Sequence, residues 1–305
     1  MSNGFNMTTF NDGGNPYRDL LETFLNMPLG GADEIFDLFS SLPGAIMREG
    51  KKPMERFVYI PGTREDRILL TAHADTVWDE RYGVEPIEPI EPKYALGMYF
   101  SASTKHGIAA DDRVGCAMLW GLRNCGHSIL LTDGMERGKI GARYLRKHHK
   151  KLYREINRTH RMILALDGPG SGSYLLKQDG YTNEFRGYIE EHLTVRYGLM
   201  RGESDVDILG GSLCGASLGV GYVCHHRNSE MFFVNGWNEL YRTLYSFLLE
   251  EHPRFPTSKK VRFRRRMARM MPLPARIYRK LKKEGFKATV AAVWRRLKGK
   301  PRSKG

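Results

Sequence analysis

Residues 67–77 read RILLTAHADTV, and this stretch decides the fold. Ile68, Leu69, Leu70 and Thr71 make a short apolar run of strand-forming character, preceded by the turn residues Pro61 and Gly62. The run stops at His73, and Asp75 follows two residues on. An imidazole at a strand end can bind a metal through one ring nitrogen while a nearby carboxylate orients the ring through the other. Alone, such an HxD is an ordinary surface arrangement, and its meaning depends on what else gathers beside it.

Two further runs end in the same way. Residues 127–132 (HSILLT) stop before Asp133, and residues 161–166 (RMILAL) stop before Asp167. Ligands of open α/β sheets bind beyond the carboxyl ends of the strands, so three separate segments bring polar groups to one rim. Around them, strands are predicted over 56–60, 67–72, 127–132, 161–166 and 217–222. Helices are predicted over 17–26, 32–42, 114–122, 138–150 and 237–251. This alternation predicts an α/β fold: a mixed, largely parallel central sheet flanked by helices on both faces.

Three more segments carry chemistry. Ala110-Asp111-Asp112-Arg113-Val114-Gly115 pairs two carboxylates ahead of a helix. One of them can bridge two cations about 3.5–4 Å apart, and helix capping is the plain alternative. Residues 132–142 (TDGMERGKIGA) place Glu136 on a glycine-rich turn after a strand, where it can reach the rim or simply face a helix dipole. Residues 221–226 (GYVCHH) end in His225 and His226, with Glu230 four residues past the second; of two adjacent histidines, one usually faces solvent.

Taken in order, these motifs resemble the co-catalytic zinc exopeptidases, the aminopeptidase, carboxypeptidase and deacylase families that share one catalytic domain. The resemblance covers about residues 15–250. It implies two zinc ions, with other divalent metals compatible, held by His73, Asp111, Glu136, Asp167 and His226. Asp111 is then the bridging ligand, joined to Asp112 by a cis peptide. His73 and Asp167 complete one metal, Glu136 and His226 complete the other, and Asp75 supports His73. Only 59 positions separate Asp167 from His226. That is too few for the inserted lid and dimerisation domain of the carboxypeptidase-like members, so no lid-mediated dimer is implied.

One position departs from the pattern. Where the family carries two glutamates in a row, this chain has Met135-Glu136, with Gly138, Gly141 and Ala142 setting the register. The missing glutamate is the family's general base, a contribution worth about 10²–10⁴-fold. Asp133, Glu203 and Asp205 are the candidate substitutes. The reading is a zinc-dependent hydrolase of peptide or amide bonds, impaired at the base position. The alternative is a metal-binding pseudoenzyme that docks a ligand or partner at a membrane surface.

Composition bounds the rest. The chain has 305 residues, 41% of them hydrophobic, enough for one large domain. Its net charge of +14 is unevenly placed: residues 258–305 carry 19 Lys and Arg against one Glu, a net of +18, which leaves −4 for residues 1–257. The expected organisation is a flexible lead (1–15), a catalytic domain (16–257) and a basic amphipathic tail (258–305). In the tail, Phe286, Val290, Val293, Trp294 and Leu297 share one helical face, which suits an anionic membrane surface. Nucleic acid is disfavoured as a partner, because no base-reading motif accompanies the charge. Cys116, Cys125, Cys214 and Cys224 form no CxxC pair. With no secretory signal in the polar first residues, a cytoplasmic location, peripheral to the membrane, is expected.

Overall fold

A strand covered on both faces needs apolar residues at successive positions, not alternate ones. The segments around Val58, Leu70, Leu131 and Leu164 meet that requirement. The computed structural model describes residues 16–79, 83, 92–177, 180–197 and 204–257, all within the unit Met1–Thr257. The expected lead, the tail and Glu203 lie outside the described residues.

The chain opens with two short helices, α1 (Arg18–Leu25) and α2 (Asp33–Ser40). Strands β1 (Ile46–Glu49), β2 (Arg56–Ile60), β3 (Leu69–His73), β4 (Lys93–Ala95) and β5 (Met98–Phe100) follow. Next come α3 (Ala110–Gly121), β6 (Ser128–Thr132), α4 (Ile140–His148), α5 (Lys150–Thr159) and β7 (Ile163–Ala165). The order continues with β8 (Ser171–Leu176), α6 (Asn183–His192), β9 (Arg196–Tyr197), α7 (Val206–Leu209) and β10 (Gly215–Val220). It ends with β11 (Tyr222–Val223), β12 (Met231–Phe233) and α8 (Val234–Leu249).

Eight strands form the main sheet in the order β1-β2-β6-β3-β7-β10-β8-β9. Its centre, β6-β3-β7-β10, is parallel, while β2 joins β6 and β8 joins β10 antiparallel. Neighbouring residues of each strand feed opposite cores. Val58, Leu70, Leu131 and Leu164 pack with α1, α2, α3, α6 and α8, whereas Phe57, Tyr59, Leu69, Leu130 and Ile163 pack with α4, α5 and α7. The sheet is therefore mixed, largely parallel and covered on both faces.

Strands β2 and β3 are consecutive in sequence, yet β6 lies between them. The loop that begins at Pro61-Gly62 is drawn towards the start of β6: the N–H groups of Thr63 and Arg64 both donate to the Gly126 carbonyl. The predicted helix 138–150 is α4, which ends where His149 leaves the helical region (φ −109°, ψ 51°); α5 follows it directly. A second sheet, β11-β12-β5-β4, was not anticipated, because strands of two or three residues carry no readable period. Among the described residues between Asp167 and His226, β8, β9 and β10 all join the main sheet, so the lid domain is absent there. All four cysteines are free, with Cys224 exposed and the others buried.

Gly115 is what lets α3 reach the rim. A Cβ at this position would overlap the Leu166 carbonyl just past β7 and the Asp112 carboxylate. Only glycine allows that helix to sit so close, and the approach brings Asp111 and Asp112 to the carboxyl ends of β3 and β7.

Candidate metal centre

His73 is the last residue of β3 and is 1% exposed. Its Nδ1 lies 2.9 Å from the Asp75 carbonyl oxygen, which can only accept, so Nδ1 carries a hydrogen. In the neutral ring the lone pair then sits on Nε2, which faces Asp111 Oδ1 at 3.2 Å and Asp167 Oδ1 at 3.6 Å. Asp167 extends from β7, and the Tyr222 hydroxyl donates to its Oδ1 at 3.3 Å.

Asp111 opens α3 outside helical geometry, with φ −85° and ψ 100°, and its peptide bond to Asp112 is cis. Its two carboxylate oxygens face different histidines. Oδ1 meets His73, while Oδ2 lies 3.1 Å from His226 Nε2, which in turn is 2.8 Å from Glu136 Oε1. The five residues expected to bind metal thus stand together, with Asp111 between His73 and His226. Two groups of metal-ligating atoms, each set within 4.8 Å of one another, also overlap at Asp111: His73 with Asp111 and Asp167, and Asp111 with His225 and His226. Mixed imidazole and carboxylate donors at this density fit divalent cations such as zinc.

The electrostatics agree with a site built around positive charge. Burial pulls the His73 pKa down, yet hydrogen bonds to Asp111 and Asp167 hold it well above its ordinary value. His226 is likewise lowered by burial but raised overall, to about 10, by Asp111 and Glu136. Burial pushes up Glu136 and Asp167, while Asp111, also opposed by burial, is held low by His226 and His73. The two imidazolium ions supply the charge that several buried carboxylates require.

A supporting layer holds these groups. Asp75 is fully buried; its carboxylate accepts the Met135 N–H at 3.0 Å and the Glu136 N–H at 3.1 Å, and lies 3.3 Å from His73 Nδ1. One side chain thereby touches both the Met135–Glu136 backbone and His73. Glu230 accepts the backbone N–H groups of Ile108 and Asp111 at 3.0 and 3.2 Å, anchoring the start of α3 from behind. Burial and the Asp111 charge raise Glu230 to about 8.

Met135 lines an open cavity of about 340 Å³ with Asp111, Glu136, Lys139, His225 and His226. Of its candidate substitutes, Asp133 is fully buried, with Oδ2 on Arg56 Nε at 2.6 Å and Oδ1 accepting the Gly134 N–H. Asp205 is buried too, accepts from the Thr132 hydroxyl, and is raised by burial to about 6. His225, Lys139 and Tyr222, to which the sequence assigned no role, also line the cavity. The paired histidines were the one available signal, and the expected ligand His226 proves the more exposed of the two, at 41% of its side chain.

No protein-family model and no curated protein matches the sequence. Solved structures do. Aminopeptidase PepT from Bacillus cereus is similar with a TM-score of 0.54 at 14% identity, over 76% of this chain and 97% of its own. The chain has the fold of this aminopeptidase. A tripeptidase from Staphylococcus aureus gives a TM-score of 0.52 at 13% identity, covering 76% of this chain and 96% of its own. The TET1 peptidase of Pyrococcus horikoshii gives 0.52 at 15% identity, covering 76% and 99%. At such identities the likeness is one of fold, and the exopeptidase fold hosts function only through its site. Among the described residues, no helix is long and apolar enough to cross a membrane.

Proposed function

We propose that this chain is a zinc-dependent metallohydrolase acting on a peptide or amide bond, with the ligands His73, Asp111, Glu136, Asp167 and His226. The observation that carries this reading is Asp111, whose two oxygens each face a different histidine. A lone structural site has no use for that division. When bound, divalent cations at the two subsites would acidify a water molecule and polarise the scissile carbonyl. Asp75 keeps Glu136 and His73 in register, and Tyr222 holds Asp167.

Proton transfer is where the residues fall short. The Met135 thioether cannot take a proton from water, and Asp133 is already paired with Arg56. Met135 on the cavity wall therefore favours a second reading: a pseudoenzyme that retains the metals to bind a ligand. Metal content of the purified protein, measured beside turnover of aminoacyl and N-acyl amino-acid substrates, separates the two. Asp111→Ala should remove both ions under either reading, and unchanged stoichiometry in that variant would refute the site.

We also propose a cytoplasmic protein attached to anionic membrane surfaces by residues 258–305. Deleting that segment should abolish binding to phosphatidylserine-containing vesicles while metal stoichiometry stays at two. Retained vesicle binding would refute the role of the tail.

A further inference from the structure

We propose that His225 is a sixth protein ligand, closing the subsite of Asp111 and His226 with a second imidazole. The inference rests on the metal reading above and extends it to a residue outside the five expected ligands.

The backbone explains how neighbouring side chains come to face one cavity. In an extended strand, residues 225 and 226 would point to opposite sides. Here Cys224 (φ 53°) and His226 (φ 63°) both occupy the left-handed region, one on each side of His225. Two non-glycine residues in that region cost on the order of 1 kcal/mol or more each. The resulting turn places both rings on the cavity wall.

Ligating atoms of Asp111, His225 and His226 then lie within 4.8 Å of one another. Glu136 Oε1 is 2.8 Å from His226 Nε2, so a further carboxylate donor stands beside the same imidazole. The other subsite has His73, Asp111 and Asp167. Four protein donors complete a tetrahedral zinc shell, whereas three leave a position open. The two subsites are therefore unequal: one closed and nitrogen-rich, the other open to water or substrate.

The His225 ring also packs edge-on against Tyr222, with centroids 5.6 Å apart, and against His226 at 4.6 Å. The test must separate ligation from this packing. Full-length protein stripped with chelator is titrated with Zn²⁺ and, for its visible spectrum, with Co²⁺. Wild type should bind two equivalents. His225→Ala and His225→Phe should each weaken one equivalent by at least about tenfold, leave the other unchanged, and alter the Co²⁺ absorption. Phenylalanine keeps the ring contact and removes the nitrogens. Retention of both affinities in His225→Phe, with loss only in His225→Ala, would overturn ligation in favour of packing. Wild-type affinities and spectrum in both variants would overturn it outright. A wild type that binds no metal would overturn the metallohydrolase reading and this inference together.

Discussion

Asp75→Asn isolates the one carboxylate that couples both halves of the centre. The native group accepts the Met135 and Glu136 N–H groups at 3.0 and 3.1 Å with no exposure to water. Asparagine keeps the shape but presents a donor at one of the two positions, so one backbone N–H is left facing another N–H. Hydrogen bonds to charged groups are worth about 1.5–3 kcal/mol, and an unsatisfied buried donor costs about 1–3 kcal/mol. A destabilisation of about 3 kcal/mol follows. It should be measured by urea unfolding of metal-free protein, because bound metal adds stability by mass action. The midpoint should fall with the slope unchanged. In the refolded variant, the loosened Glu136 and His73 should lower metal affinity about 10–100-fold. Stability within about 0.5 kcal/mol of wild type, together with unchanged metal affinity, would refute the claim that Asp75 positions both ligands.

Two other perturbations test the chemistry. Met135→Glu should raise amide hydrolysis by about 10²–10⁴-fold, since a carboxylate there would border the cavity beside Glu136 and Asp111; no gain on any substrate, with both metals bound, would show that more than the base is missing. Metal binding should release protons at pH 7. His73 and His226, the latter raised to about 10, are protonated in the metal-free protein and must become neutral to ligate. Apparent affinity should therefore rise with pH, up to about tenfold per unit for each proton displaced. Calorimetry in buffers of different ionisation enthalpy counts those protons, and a count of zero would contradict the assigned charge states.

Much of the fold was legible because its signals are local. The runs ending at His73, Asp133 and Asp167 announce strands, and β3, β6 and β7 occupy them to within two residues. Glycine was readable at Gly115 through the motif, although its cause, the approach to the Leu166 carbonyl, lies 51 positions away. The small second sheet and α6 were not readable. Their stability comes from neighbours distant in sequence, as in the pairing of Phe232 with Tyr99 across the β12–β5 ladder.

By itself, the sequence determined which polar residues end the strands, in what order, and that a methionine stands where a carboxylate belongs. These properties belong to single short segments, set by apolar periodicity and turn residues. Tertiary structure alone decided how the groups share their contacts. It inserted β6 between β2 and β3, gave Asp133 to Arg56, bound Asp75 to the Met135–Glu136 backbone, and turned His225 towards Asp111. Each of those outcomes depends on sheet register, or on a left-handed turn beside a distant carboxylate. Neither leaves a trace in the spacing of residues along the chain.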